Sequence, residues 1–336
     1  MIFARRQASS LRDLGVQVTL FNLRSRTSPI LMAREWVRFR HCLRRADPDV
    51  VHAQFGTVTA LFAALAAPRR PLVITYRGSD LNLAPPSAPF AEKVRSLAGH
   101  LFSQLAALSA DSIVCVSRPL RRRLWWRRGR VAVLPSGVDA ELFRPEPQAR
   151  ARQRLGWSEG ARVILFNAGH GARVKRLDLA RASAALAGAV IPRLRLEVLD
   201  GHTPPDNIPV LMNAADCLLL TSDTEGSPTV VQEALACNLP VVSVDVGDTA
   251  ERLRGVHGTR IAARDPRDIA RAVVELMATP RRSDGRSKIG EFSAHRVARE
   301  LHGIYRELCE PWPVAPDRPP EANEDLLANA GKEQDV

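Results

Sequence analysis

The sequence predicts an α/β fold with two doubly wound domains, each built on a parallel sheet. Short runs rich in Val, Ile and Leu alternate with longer helical patterns, the rhythm of repeated strand-helix units. The runs are continuously apolar, as expected of strands covered by helices on both faces. At 336 residues the chain is long enough for two cores of ordinary size.

Taken in order, the first half opens in a helical segment, FARRQASSLRDLG, where a doubly wound domain would open with a strand and a tight glycine turn. Either the first strand is lacking or the start was placed too late. Strand candidates follow at 16–23 (VQVTLFNL), 49–54, 72–77, 111–117 and 131–137. The stretch 135–160, with its prolines, Ser-Gly turn and polar helix, reads as an interdomain connection. In the second half, strands are expected at 162–169, 195–201, 216–222 and 240–247, with helices near 176–190, 228–237, 266–278 and 294–309. The domains are accordingly placed at 1–145 and 146–293, followed by a C-terminal helix, 294–310. From 311 to 336 periodicity gives way to proline and acid, which predicts a disordered tail. No solenoid-like repeat is present.

Composition narrows the function classes. No apolar run reaches the roughly 18 residues of a membrane span, and the start lacks a secretory apolar stretch, so a cytoplasmic protein is expected. Five scattered cysteines, Cys42, Cys115, Cys217, Cys237 and Cys309, contain no Cys-x-x-Cys pair; they read as small core residues rather than a disulfide framework or zinc site. The net charge of +12 favours anionic partners such as phospholipid head groups, sugar diphosphates or nucleic acid. No nucleic-acid-binding module accompanies it, so no nucleic-acid partner is expected.

The densest site signal is SDTEGSPTVVQEALACNLPVV, residues 222–242. Gly226, Ser227 and Pro228 form a turn that should open a helix, with Ser227 as N-cap and Pro228 at the first helical position. The helix start, continuing through Thr229 and Val230, offers free amides and the positive end of the helix dipole, an anion site suited to a diphosphate. Glu225 lies in the turn and Glu233 about two helical turns along it. One carboxylate would face the sugar end of a ligand and the other the ribose end; the plainer alternative is a first-turn carboxylate and a solvated helix residue.

The Glu-x(7)-Glu pattern in EGSPTVVQEALACNLPVV, preceded by NAADCLLLTSD, resembles the donor-binding hallmark of family 4 glycosyltransferases. LPSGVDAELFRP is similar to that family's interdomain segment, and NAGHGARVKRLDLA (167–180) falls where the family has its glycine turn and phosphate-binding lysine. The likeness runs from about residue 5 to 309. It implies two Rossmann-like domains of the GT-B type, facing each other across a cleft, with the last helix returning to the first domain. The implied activity is retaining transfer of a sugar from a nucleotide sugar to a saccharide or lipid-linked acceptor. By resemblance Glu233 would bond the ribose hydroxyls, Glu225 would contact the transferred sugar and Lys175 would neutralise the diphosphate near Gly169. Where the family places an arginine five residues before that lysine, this chain has His170, with Arg173 and Arg176 nearby as substitutes. His170 is then either a hydrogen-bond donor to phosphate or a turn residue.

On the acceptor side, TYRGSDLN (75–82) resembles a family loop that often carries His-Gly-x-Asp, with Arg77 in the histidine position. In a front-face mechanism the departing phosphate can take the acceptor proton, so Arg77 would help hold that phosphate while Gly78 permits close backbone approach. Asp80 either caps the following segment or touches substrate. His52 and Gly56, in HAQFG, are placed at another strand end facing the cleft, with a packed structural histidine as the alternative for His52. The stretch 117–130, SRPLRRRLWWRRGR, has seven arginines and two tryptophans. It reads as a surface for anionic lipid or as a solvated basic helix with one tryptophan in the core. No Asp-x-Asp motif stands beside the phosphate site, so neither a metal nor a cofactor is expected beyond the donor itself. The rival readings are an epimerase acting on the nucleotide sugar alone and a nucleotide-sugar-binding protein that no longer transfers.

Overall fold

A computed structural model describes residues 2–85, 88–126, 131–169, 171–279 and 281–309. The expectations for His170, for 127–130 and for the tail at 311–336 lie outside the described residues. The first half comprises α1 (Ile2–Arg12), α2 (Pro29–Ala46), β1 (Val51–Ala53), α3 (Thr57–Ala66), β2 (Leu72–Tyr76), α4 (Phe90–Leu108), β3 (Ser112–Cys115), α5 (Arg118–Arg121) and β4 (Val131–Val133). Its strands form one parallel sheet in the order β1-β2-β3-β4. The second half continues with α6 (Gln148–Leu155), β5 (Arg162–Asn167), α7 (Leu177–Gly188), β6 (Leu194–Leu199), α8 (Ile208–Ala214), β7 (Cys217–Leu220), α9 (Thr229–Ala236) and β8 (Val241–Val244). It ends with α10 (Thr249–Leu253), β9 (Thr259–Ala262), α11 (Pro266–Ala278), α12 (Ile289–Phe292) and α13 (Ala294–Cys309).

The strands are short and densely apolar because both faces are covered. Every residue of β2, β7 and β8 is buried. In the first sheet, Ile74 and Ile113 pack toward Phe39, Ala60 and Phe62, while Val73 and Val114 pack on the other face against Leu11 of α1 and Val297 and Leu301 of α13. The last helix therefore closes the core of the first sheet. The second sheet, ordered β6-β5-β7-β8-β9, is parallel throughout, and its order reverses between β5 and β7. The open crevice at such a reversal, beyond the carboxyl ends of the strands, is where α/β sheets bind ligands.

Two strand expectations are corrected. Residues 16–23 form no strand, because β1 pairs only with β2 and its other edge borders a cavity of about 920 Å³ lined by Val16–Leu23 on one side and Val50–Phe55 on the other. The segment keeps a strand's two-faced packing: Val16 and Val18 lie against the α1–α13 cluster, Phe21 and Leu23 against the cluster containing Phe39. It has side chains suited to a sheet and no adjacent backbone to pair with. Conversely, β9 (Thr259–Ala262) adds an edge strand that its mixed pattern, TRIA, did not announce.

The chain crosses between the two sheets twice, and the crossings are bonded to each other. Val138 N–H donates to the Phe292 carbonyl at 2.9 Å and Ala294 N–H to the Val138 carbonyl at 2.8 Å. Gly137, at φ +79°, permits this approach, since a Cβ there would lie 3.0 Å from Cα of Ala294.

Candidate active site

At the reversal of the second sheet, the loop after β5 and the loop after β7 converge. Gly169, at φ +48°, ends β5 in the left-handed region and donates its N–H to the Leu199 carbonyl, which turns the chain toward Lys175. Thr221, just past β7, donates its hydroxyl to the carbonyls of Lys175 and Arg176 at 2.8 and 3.0 Å. Asp223 N–H donates to the Val174 carbonyl, and the Asp223 carboxylate takes both Arg176 and Arg264. These bonds set Lys175 beside the Glu225 turn: Lys175 Nζ lies 2.5 Å from Glu225 Oε1, which also accepts from Ser222 Oγ at 2.7 Å. Arg176 pairs with Asp178 and Asp223, and Arg173 pairs with Glu92 of α4 across the cleft.

The turn into α9 differs from expectation by one residue. Pro228 is the N-cap and Thr229 the first helical residue. Ser227 does not cap, because its hydroxyl donates to Asp248 Oδ2 and accepts from Gln232 Nε2, both at 2.9 Å. The helix start, with Val230 buried beneath it, therefore carries no side-chain cap; Val231 N–H donates to the Pro228 carbonyl at 3.1 Å, and a helix start of this kind leaves the amides before it for an anion. Burial raises the carboxyl of Asp248 above its usual range, offset by Arg252.

Glu233 lies farther along α9 with its carboxylate 3.3 Å from Arg6 of α1. Burial pushes the carboxyl up to about 7, and the neighbouring Arg6 charge limits the rise. Arg6 was not anticipated. It sits in a basic helical opening, FARRQ, that reads as an ordinary solvated face, and only the closing of the two domains brings it to Glu233.

The first domain covers this turn by backbone. A Cβ on Gly226 would overlap the carbonyl of Arg77, and a Cβ on Gly78, whose φ is +149°, would lie 3.0 Å from Gly226 N. Asn82 Nδ2 donates to the Glu225 carbonyl at 3.0 Å. Gly78 accordingly sits where close approach was expected, although what it approaches is the other domain.

The remaining first-domain residues are engaged in holding the loops. The Arg77 guanidinium donates from Nε to the Gln54 carbonyl and from Nη1 to Ser136 Oγ, both at 3.0 Å, and also reaches Gln54 Oε1, so the structure ties it to β1's end and to the linker. Burial lowers its pKa to about 10, with Asp80 opposing. Asp80 is fully buried and accepts from the backbone N–H groups of Gly56, Arg77 and Gly78. It ties two loops together rather than facing a substrate. Gly56 is buried too: a Cβ would lie 2.6 Å from Ser103 Oγ and 2.8 Å from the Tyr76 ring, so its smallness serves packing. His52 is held between Tyr305 Oη at 2.5 Å and Thr75 Oγ1 at 2.7 Å, and burial depresses its pKa to about 3. It is a neutral link between β1 and α13, the packed alternative. Of the basic stretch, Trp126 donates to the Gln104 carbonyl, while Trp125 stays half-exposed against His100. Among the described residues no group of three or more His, Cys, Asp or Glu side chains gathers to hold a metal ion, and no helix is long and apolar enough to cross a membrane.

The model of Glycosyltransferase Family 4 matches residues 1–142, and that of Glycosyl transferases group 1 matches residues 159–279. The chain is 30% identical over 380 aligned positions to a D-inositol 3-phosphate glycosyltransferase of Thermobispora bispora, covering 90% of this chain and 88% of that protein. In fold it is similar to a sucrose-phosphate synthase from Thermosynechococcus elongatus, with a TM-score of 0.74 at 16% identity, covering 91% and 92% of the two chains. It is also similar to the Anabaena protein HepE in complex with UDP, with a TM-score of 0.64 at 17% identity and 89% of each chain covered. The switch-point crevice, the paired Glu225 and Lys175 at its mouth, and these likenesses over nearly the whole length lead to one assignment: the chain is a member of glycosyltransferase family 4 with the GT-B architecture.

Proposed function

We propose that this glycosyltransferase moves a sugar, with retention of configuration and without a metal ion, from a uridine diphosphate sugar to a hydroxyl of a saccharide or lipid-linked acceptor. The observation that carries the reading is the Lys175–Glu225 pair, with Nζ and Oε1 2.5 Å apart, at the uncapped start of α9. A diphosphate at that helix end meets backbone amides, the positive end of the helix dipole and the Lys175 ammonium, and Glu225 is then left to contact the sugar. Glu233, farther along the same helix, accepts from the ribose hydroxyls. HepE was solved with UDP, which supports uridine as the base. Breaking the sugar–phosphate bond builds charge on the leaving diphosphate, and Lys175 and the α9 amides stabilise it. The departing phosphate takes the acceptor proton on the same face, so the protein needs no separate base there. Arg77 contributes by fixing the loop that covers the turn, through Gln54 and Ser136.

The acceptor-side domain suits a lipid surface. On α4, Phe90, Val94, Leu97, Leu101, Leu105 and Leu108 recur at spacings of three and four and are all exposed, next to half-exposed Trp125 and the arginines of 118–123. The test of the donor site is thermal stability with UDP, GDP, ADP and TDP in turn; a ligand at about 100 times its dissociation constant adds roughly 2.7 kcal/mol. A rise with UDP that disappears in Lys175→Ala and Glu233→Ala is the expected result, and turnover with a UDP-sugar should persist in excess EDTA. No rise with any nucleotide would overturn the assignment.

A further inference from the structure

We propose that Arg6 is a positioning residue of the donor site, reaching from the first domain across the cleft to hold the Glu233 carboxylate in its ribose-accepting role. The inference rests on the reading of Glu233 as the ribose acceptor. Its geometry is independent of that reading. Arg6 Nη1 lies 3.3 Å from Glu233 Oε1, and the same guanidinium stands 5.6 Å from the centroid of the Phe143 ring in the interdomain linker. Arg6 is therefore held between a helix of one domain and the strap that joins the two.

The other charged groups at this end of α9 are directed elsewhere. Around Cys237, one turn beyond Glu233, stand Arg282, Arg286 and Glu146. Arg282 donates to the carbonyls of Met212, Ala215 and Cys237, and Arg286 to those of Ala140, Phe143 and Ala236. Glu146 accepts from Arg154 at 3.4 Å. Among the described residues the cation bonded to Glu233 is Arg6. An ionised carboxylate offers both oxygens as charge-assisted acceptors to a pair of ribose hydroxyls; protonation turns one oxygen into a donor and removes the charge, which weakens that pairing. Burial presses Glu233 toward protonation near neutral pH, so the Arg6 charge decides how much of the protein is competent to bind at pH 7. Because Arg6 belongs to the first domain, this competence exists only where the two domains meet. Donor affinity is thereby linked to cleft closure.

The experiment is UDP binding by calorimetry between pH 6 and 9 for the wild-type chain, Arg6→Gln and Arg6→Lys. Titration of the nucleotide's own phosphates is common to all three and cancels in the comparison. In the wild type, affinity should rise through about pH 7 and level off, following Glu233. In Arg6→Gln the midpoint should move up by about one pH unit, so that binding is about fivefold weaker at pH 7 and nearly recovered at pH 9; Arg6→Lys should restore the midpoint. An equal loss at every pH, an unchanged profile or tighter binding in Arg6→Gln would each overturn the proposal. Carboxyl-carbon NMR without nucleotide, with Glu233→Gln to identify the signal, separates the two levels of the claim. A wild-type chain that binds no UDP at any pH sinks the donor-site reading, whereas a Glu233 signal that titrates identically with and without Arg6 sinks only the Arg6 assignment.

Discussion

Glu233 illustrates how a buried carboxyl can weigh against stability. A carboxyl whose pKa is higher in the folded than in the unfolded state is more easily protonated when folded, so ionisation costs stability as pH rises from about 4.5 to about 7. Glu233→Gln should therefore stabilise the ligand-free protein at pH 8, by on the order of 2 kcal/mol, with the gain much reduced at pH 5 and gone below about pH 4.5. Urea unfolding at the two pH values checks this, and a destabilised variant at pH 8 would mean that Arg6 more than compensates the buried charge. Gly226 is constrained in another way. Its missing side chain is what lets the Arg77 carbonyl reach the donor turn, so Gly226→Ala must push the loops apart. We expect a loss of about 1–3 kcal/mol and a fall in turnover larger than any change in UDP affinity, since the second domain keeps its own contacts; steady-state kinetics beside UDP calorimetry would show whether the two separate. The pair Glu225 and Glu233 was legible in the sequence because their spacing is set by one local helix. Arg6 was not, being 227 positions from its partner, and nothing in FARRQ distinguishes a cation bound for a cleft from one bound for solvent.

At the scale of elements, legibility followed partners. Strands such as LVITY and CLLL are continuously apolar because helices cover both faces, and they were readable for that reason. Residues 16–23 carry an equally good pattern and still form no strand, because a strand is a property of a pair and the space beside β1 is a cavity. The N-cap of α9 shifted by one residue because Asp248, 21 positions away, claims the Ser227 hydroxyl. Tertiary competition of this kind also decides His52, whose alternatives stayed open in sequence. Its two ring nitrogens join Thr75 of β2 and Tyr305 of α13, with Gln54 nearby. Since burial lowers its pKa from 6.5 to about 3, the unfolded chain takes up the proton first as pH falls. The stabilising contribution is complete above pH 6.5 and is lost below it, by about 1.4 kcal/mol per pH unit. A urea midpoint series from pH 7 to 5 should show this slope in the wild type and a shallower one in His52→Gln; identical slopes would mean that His52 is solvated in the native protein.

Across the whole molecule, the proposed function divides between the two domains, with the donor assigned to the second and a surface-bound acceptor to the first. The second domain places a helix start beside Lys175, the site proposed for a diphosphate, while the first covers that turn by backbone and turns one side of α4 outward. The residues buried on α4 are His100, Ser103, Gln104, Ala106 and Ala107, and the stripe from Phe90 to Leu108 lies outward of them with its residues 41–82% exposed. These six exposed apolar residues form a patch of the sort that marks an interaction site, and on the proposed reading the arginines of 118–123 would favour an anionic one. Sequence pointed to the basic stretch alone; the apolar stripe emerged only once the buried face of α4 was known. Replacing Leu97 and Leu101 together by Asp should leave the melting temperature within a few degrees of wild type and abolish sedimentation with vesicles containing phosphatidylglycerol, while UDP affinity is unchanged. Arg121→Glu with Arg122→Glu should weaken the same sedimentation and make what remains insensitive to salt, because the electrostatic part of the attraction is screened within a Debye length of about 10 Å at 0.1 M salt. Vesicle binding that survives both double variants would place the lipid contact elsewhere on the chain and leave the α4 stripe to a protein partner.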